Sequence, residues 1–322
     1  MALIMKKILP EFRFPKRWLL LGLVPMALLA YLIWVAAPKQ TTTGKPEVLS
    51  SETISPLGAP QPVVLPAPPR LEGTLMLDSV KAQSFLVYDL NSGATLAQRE
   101  PVQPVAIASI TKLMTGLVIY RTMPSFRQTI TITPEDLYSV EPKLGLKVGD
   151  KITVGDLFYA MLVGSANDAA LALANHVEAD TGENFVELMN NAATELGMAN
   201  SHFSNPLGFD SESNYSTAED LHKLIQEIQK YQAFNLVGRN QTYSFISNAG
   251  IEYSVQSTNK LIKDNKELYA IKTGYTDLAQ GAMITESRDR NHPFIIIVLD
   301  SPDREADTLT LRSQILKNYV WP

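Results

Sequence analysis

Ser109 and Lys112 stand three residues apart at the head of an apolar run, "IASITKLMTGLVIY" (residues 107–120). At i and i+3 of a helix both side chains lie on one face. Leu113, Met114, Leu117, Val118 and Ile119 make the segment apolar on nearly every side, the pattern of a helix buried at the centre of a domain. A serine at the N-terminus of such a helix meets free N–H groups and the positive end of the dipole, which suits a nucleophile whose attack generates an oxyanion. A lysine in the same turn is partly desolvated. Its pKa falls, and the neutral amine becomes a base for the serine's proton.

The S-x-x-K pattern is short, and Ser257 and Lys260 repeat it. That copy is followed by "LIKDNKELYA", polar and short, with no buried helix behind it, and is read as structural. Two other groups accompany the first copy. Ser165, Ala166 and Asn167, in "GSANDAA", fall at a turn between two apolar helical segments; a plain helix cap is the bland alternative. Lys272, Thr273 and Gly274, in "AIKTGYT", end an apolar strand. A solvated lysine and a turn glycine are the alternative there. The order S-x-x-K, S-x-N, K-T-G, on helix, turn and strand, is much harder to reach by accident than any one of the three. Lys272 also brings a second positive charge, which further disfavours the ammonium form of Lys112.

The elements that must position these residues are legible. "SFLVYDL" (residues 84–90) alternates and is rich in β-formers, "NSG" (91–93) signals a turn, and "ATLAQRE" follows as a second strand. "VGDLFYAMLVGSANDAALALANHV" and "ENFVELMNNAATELG" carry apolar residues at helical spacing. Asp180 with Glu183 reads as a capping box and Gly197 as a stop. "LYAIKTG", "GAMITES" and "PFIIIVLD" are strands, and a helix is expected from about 303 to 319. Strands at both ends with helices between them imply an α/β (α+β) domain: a mainly antiparallel sheet flanked by helices.

The 322-residue chain has a net charge of −5, which argues against a nucleic-acid partner. It has no cysteine, so thiol catalysis and Cys-based metal sites are excluded. His176, His202, His222 and His292 are scattered, and Asp168 and Glu178 read as solvated helix positions. No metal and no cofactor are expected. Residues 1–17 are basic and precede an uncharged span, residues 18–37, long enough for a bilayer. The expectation is an N-terminal membrane anchor with the remainder outside the cytoplasm, or a secreted chain if this segment is cleaved after "VAA" (residues 35–37). Eight of the 20 prolines fall in residues 38–70, so 38–74 reads as an extended tether reaching roughly 100 Å.

From about residue 75 onward the chain resembles the serine-type D-alanyl-D-alanine carboxypeptidases, the low-molecular-mass penicillin-binding proteins. The three motifs carry the resemblance, and "LKVGDKITVGDLFYAMLVGSANDAALALA", "LGMANSHFSNPLGFD", "NYSTAEDL" and "STNKLI" extend it. It implies a β-lactamase/transpeptidase-like fold with an additional all-helical subdomain. It implies an acyl-enzyme on Ser109, with Lys112 as base and Ser165 as proton relay towards the leaving D-alanine. Asn167 would orient the substrate and Lys112. The N–H groups of Ser109 and Tyr275 would form the oxyanion hole, and Lys272, Thr273 and an arginine would bind the substrate carboxylate. Arg304 is the first candidate for that arginine, with Arg312 as the alternative, and spacing does not separate them. The expected partners are a peptidoglycan stem peptide and, as covalent inhibitors, β-lactams. Many relatives carry a second β-domain and a C-terminal amphipathic anchor; "NYVWP" follows neither, which suits an anchor at the N-terminus. No E-x-x-L-N pentad follows the second motif, and Ala166 replaces its aspartate, against a class A β-lactamase. An endopeptidase or transpeptidase using the same residues stays open, as does a non-turnover sensor of muropeptide or β-lactam.

Overall fold

Strand β1 (Ser84–Asp89) and strand β2 (Thr95–Arg99) pair antiparallel and open the sheet. A single 3-10 turn (Ala108–Thr111) then leads into α1 (Lys112–Thr122). Helices α2 (Val154–Val163), α3 (Asn167–Thr181), α4 (Phe185–Glu195) and α5 (Ala218–Ile228) follow, then a hairpin of β3 (Thr242–Ile246) and β4 (Glu252–Gln256). Strands β5 (Leu268–Thr276), β6 (Gln280–Asp289) and β7 (His292–Ser301) return to the sheet, and α6 (Arg304–Asn318) covers it. The five-stranded sheet runs β5-β6-β7-β1-β2, all antiparallel, so β5 is an edge strand. This computed structural model describes residues 66–289 and 292–322. The expected anchor, its basic flank and most of the tether lie outside the described residues. Among the described residues no helix is long and apolar enough to cross a membrane.

The alternation expected in β1 is present, but neither face is wet, because all six residues are buried. Successive side chains point to opposite faces of a strand. Phe85 and Val87 join Phe294, Ile296, Val298, Leu311 and Ile315 in a core under α6. Leu86 and Tyr88 join Ile295, Ile297 and the helical layer on the other side. The sheet is therefore the middle of three layers.

Helix α1 fills the centre, as its composition requires: Lys112 to Ile119 are all buried. Burying Leu113, Met114, Leu117, Val118 and Ile119 contributes roughly 1.5–3 kcal/mol each. The start of α4 differs from the expected capping box. Helix α3 runs on to Thr181, so Asp180 is still helical. Asn184 is the N-cap of α4 and accepts from Glu187 N–H. Gly197 stops α4 as expected, with φ +68°. Arg70–Leu71, a segment the sequence reading places in the tether, pairs antiparallel with Tyr319–Val320.

Candidate active site

The turn that carries Ser109 is strained and held from two sides. Ala108 has φ +47°, a region few non-glycine residues occupy outside functional turns. Gly208, with φ +83°, lies so close that a Cβ would stand 2.1 Å from the Ala108 carbonyl oxygen. A Cβ on Gly274 would stand 2.9 Å from Ser109 N. Glycine at both positions lets the K-T-G strand and the 205–210 segment close on the turn. Ser109 itself is half-buried and begins no α-helix; the turn delivers it one residue pair ahead of α1.

Lys112 is completely buried. Its Nζ lies 3.0 Å from Ser109 Oγ and 2.8 Å from Asn167 Oδ1, and also bonds the Leu207 carbonyl. The last two are pure acceptors. They occupy two N–H groups, and the third position of the nitrogen faces the Ser109 hydroxyl. Burial pulls the Lys112 pKa down to about 7. The expected contribution of Lys272's charge is absent from this shift. It is Lys272 that responds: burial first, then Lys112 and Arg304, hold its pKa well below the ordinary lysine range.

Ser165 occupies the short link between α2 and α3, with φ +60°. Lys272 Nζ donates to Ser165 Oγ at 2.9 Å and to the Thr273 carbonyl at 2.9 Å. Two lysine–serine pairs, Lys112–Ser109 and Lys272–Ser165, are thus supplied by the three motifs. Asn167, the first residue of α3, donates from Nδ2 to the Val140 carbonyl at 3.2 Å, and its N–H meets the Pro142 carbonyl at 2.8 Å. Tyr275 is 62% exposed at the cleft end of β5. The two candidate arginines part company. Arg304 donates to the Gly274 carbonyl at 2.5 Å, on the K-T-G strand. Arg312 bonds Ser287 and Asp289 instead, at the far end of β6.

Several contributors escaped the sequence reading. Asn205 Oδ1 accepts the N–H groups of Leu207, Gly208 and Phe209, shaping the turn whose carbonyl holds Lys112. Thr115 Oγ1 ties the same turn to α1 through the Pro206 carbonyl at 2.7 Å. Asp168 is not solvated: it is 1% exposed and accepts from the N–H groups of Leu144, Gly145 and Leu146. Glu178 is half-buried and accepts from Phe185 N at the head of α4. A helical residue reads as solvated when a buried loop backbone, invisible to periodicity, is its partner. Among the described residues no group of three His, Cys, Asp or Glu side chains is placed to share a metal ion.

The chain is similar to known proteins over most of its length. The family described as D-alanyl-D-alanine carboxypeptidase, peptidase S11, matches residues 72–303. The D-alanyl-D-alanine carboxypeptidase DacF of Bacillus subtilis is 29% identical over 223 residues, 68% of this chain and 57% of that protein. The chain therefore spans less than two thirds of that relative. The D-alanyl-D-alanine endopeptidase of Escherichia coli is 30% identical over 257 residues, 76% of this chain and 80% of the relative. The crystal structure of the Streptomyces K15 DD-transpeptidase superposes with a TM-score of 0.69 at 26% identity, covering 75% of this chain and 99% of that one. With the expected sheet-and-helix architecture and a match over most of its length, the chain belongs to the D-alanyl-D-alanine carboxypeptidase family of serine peptidases.

Proposed function

We propose that the protein is a serine D-alanyl-D-alanine carboxypeptidase that removes the terminal D-alanine from peptidoglycan stem peptides. The observation that carries this reading is the buried Lys112 amine, 3.0 Å from Ser109 Oγ, with its other hydrogen bonds taken by carbonyl oxygens. Neutral Lys112 takes the Ser109 proton as Oγ attacks the carbonyl between the last two D-alanines. The N–H groups of Ser109 and Tyr275 receive the oxyanion; Gly274, packed against Ser109 N, supports that placement. Ser165, bonded to Lys272, gives its hydroxyl proton to the leaving amine, and the proton held by Lys112 replaces it. D-alanine departs, and water attacks the acyl-enzyme, adding its OH to the acyl carbon and its proton to Ser109 Oγ, to release the shortened peptide.

Lys272, Thr273 and Arg304 form the carboxylate end of the cleft. Burial disfavours the Lys272 ammonium. An arriving carboxylate supplies the counter-charge that favours it again. A β-lactam presents a strained acyl group and a carboxylate to the same residues and so acylates Ser109. The catalytic domain works outside the cytoplasm, held by residues 18–37 at the end of the proline-rich tether; the basic flank and uncharged span support that topology.

A second reading, D,D-endopeptidase, has its own support in the 80% of the Escherichia coli endopeptidase that the chain covers. Mass spectrometry of a stem pentapeptide and of a cross-linked dimer, each incubated with the protein, separates the two. Loss of one alanine from the pentapeptide is expected. Cleavage of the dimer alone makes the protein an endopeptidase.

A further inference from the structure

The second S-x-x-K copy, read as structural, brings its second residue to the K-T-G strand. Thr258 Oγ1 lies 2.6 Å from the hydroxyl of Thr273, the K-T-G threonine. The Thr258 N–H makes a long contact, 3.4 Å, with the carbonyl of Val163, the last residue of α2 and two before Ser165. The adjacent Asn259 is 2% exposed; its Oδ1 accepts from Leu261 N at 2.9 Å, and its Nδ2 donates to Thr285 Oγ1 on β6 at 3.2 Å. Residues 257–259 thus form a strap from the end of α2 to the sheet, with one hydroxyl beside that of Thr273.

We propose that Thr258 is a positioning residue that turns the Thr273 hydroxyl into a donor for the substrate's terminal carboxylate. The inference rests on the reading that Thr273 meets that carboxylate. A hydroxyl has one proton and two acceptor lone pairs. In the structure Thr273 donates its proton to Thr258. A carboxylate only accepts, so on binding Thr273 must aim that proton into the cleft. Its oxygen then loses its partner unless another donor stands behind it. Thr258 is that donor. The structure shows the bond with Thr273 as donor; a small rotation of the Thr258 side chain turns it round, and the chain Thr258–Thr273–carboxylate then has every proton placed. A valine at 258 fills the same space but offers no proton, leaving the Thr273 oxygen facing a methyl group.

The test uses two stem-peptide analogues ending in D-alanyl-D-alanine, one with a free carboxylate and one with a C-terminal amide. Their affinities are read from how far each slows labelling by a fluorescent penicillin. In Thr258→Val the acid should weaken roughly fivefold, the scale of one net hydrogen bond. The amide should change little, so the preference for acid narrows. Thr258→Ser, which restores the hydroxyl, should restore that preference. A strap that merely braces the fold would weaken both ligands alike, and that outcome overturns the proposal, as does failure of serine to rescue. Thr273→Val separates the layers. If it leaves the acid preference intact, the carboxylate reading fails and takes the proposal with it. If it abolishes the preference while Thr258→Val does not, the positioning role alone fails.

Discussion

Lys112 is held where an ammonium is least stable, and its neighbours leave it one useful direction. Two carbonyl oxygens absorb N–H groups, and the remaining position faces Ser109 Oγ. With its pKa near 7, the amine is protonated and without a lone pair below that pH. Acylation should fall about tenfold per unit as pH drops below 7 and level off above it. The sign for stability runs the same way. Unfolded, the lysine keeps its proton up to about 10.5, so the cost of burying it is full below pH 7 and fades as pH rises towards 10.5. Lys112→Arg keeps a charge that cannot be shed. It should lose acylation by at least two orders of magnitude, on the scale of a lost general base. Stopped-flow labelling across pH 5–9 reads both predictions, and wild-type rates in the arginine variant would place the base elsewhere. The three motifs were legible because serine, lysine, asparagine and threonine carry chemistry in their names. The Leu207 carbonyl was not, since any residue type supplies a carbonyl; only the Asn205 turn that aims it is specific.

Each motif sits at the end of an element, where backbone geometry rather than periodicity decides direction. Ser109 lies in a 3-10 turn, Ser165 in a link between helices, Thr273 near the end of an edge strand. The elements themselves were readable from hydrophobic spacing: the strands of the K-T-G hairpin and α6 lie where the sequence puts them, and α1 begins at Lys112, three residues after the Ser109 start that the sequence suggests. The hairpin β3–β4 and the loop of residues 137–147 were not: Tyr243, Phe245, Tyr253 and Val255 alternate with polar residues but in runs of only five, and the loop has no period at all. Asp168 shows what that loses. It binds three loop amides directly beside Asn167, joining the 144–146 backbone to the helix that presents Lys112's partner. Asp168→Ala should strand those amides and destabilise the protein by on the order of 2–4 kcal/mol. Hydrogen exchange of Leu144, Gly145 and Leu146 should accelerate more than exchange in β7. Unchanged protection at those three amides would contradict the assignment.

At the scale of the molecule, the sheet is covered on both faces, and the three motifs meet where its edge strand β5 closes on the turn that begins α1. The order of strand and helix patterns announced an α/β arrangement, but not that β1 would be buried on both sides; that follows from α6 returning over the sheet after β7. The pairing of Arg70–Leu71 with Tyr319–Val320 places a strand 14 residues before the first expected one, which begins at Ser84. Residues 66–322 should therefore fold without the N-terminal segment and label with penicillin at the wild-type rate. The full chain should sediment with membranes and the shortened one should not. A mature chain beginning at Pro38 would remove the anchor while leaving export intact.

The central claim is that Ser109, and not the similarly spaced Ser257, forms an acyl-enzyme activated by Lys112. The most direct measurement is a peptide map of the protein after reaction with a fluorescent penicillin, run on the wild type, Ser109→Ala and Ser257→Ala. The adduct should lie on Ser109 in the wild type and in Ser257→Ala, and be absent from Ser109→Ala. It should persist for minutes, since no E-x-x-L-N glutamate is present to activate a deacylating water. An adduct on Ser257, or full labelling of Ser109→Ala, would contradict the account.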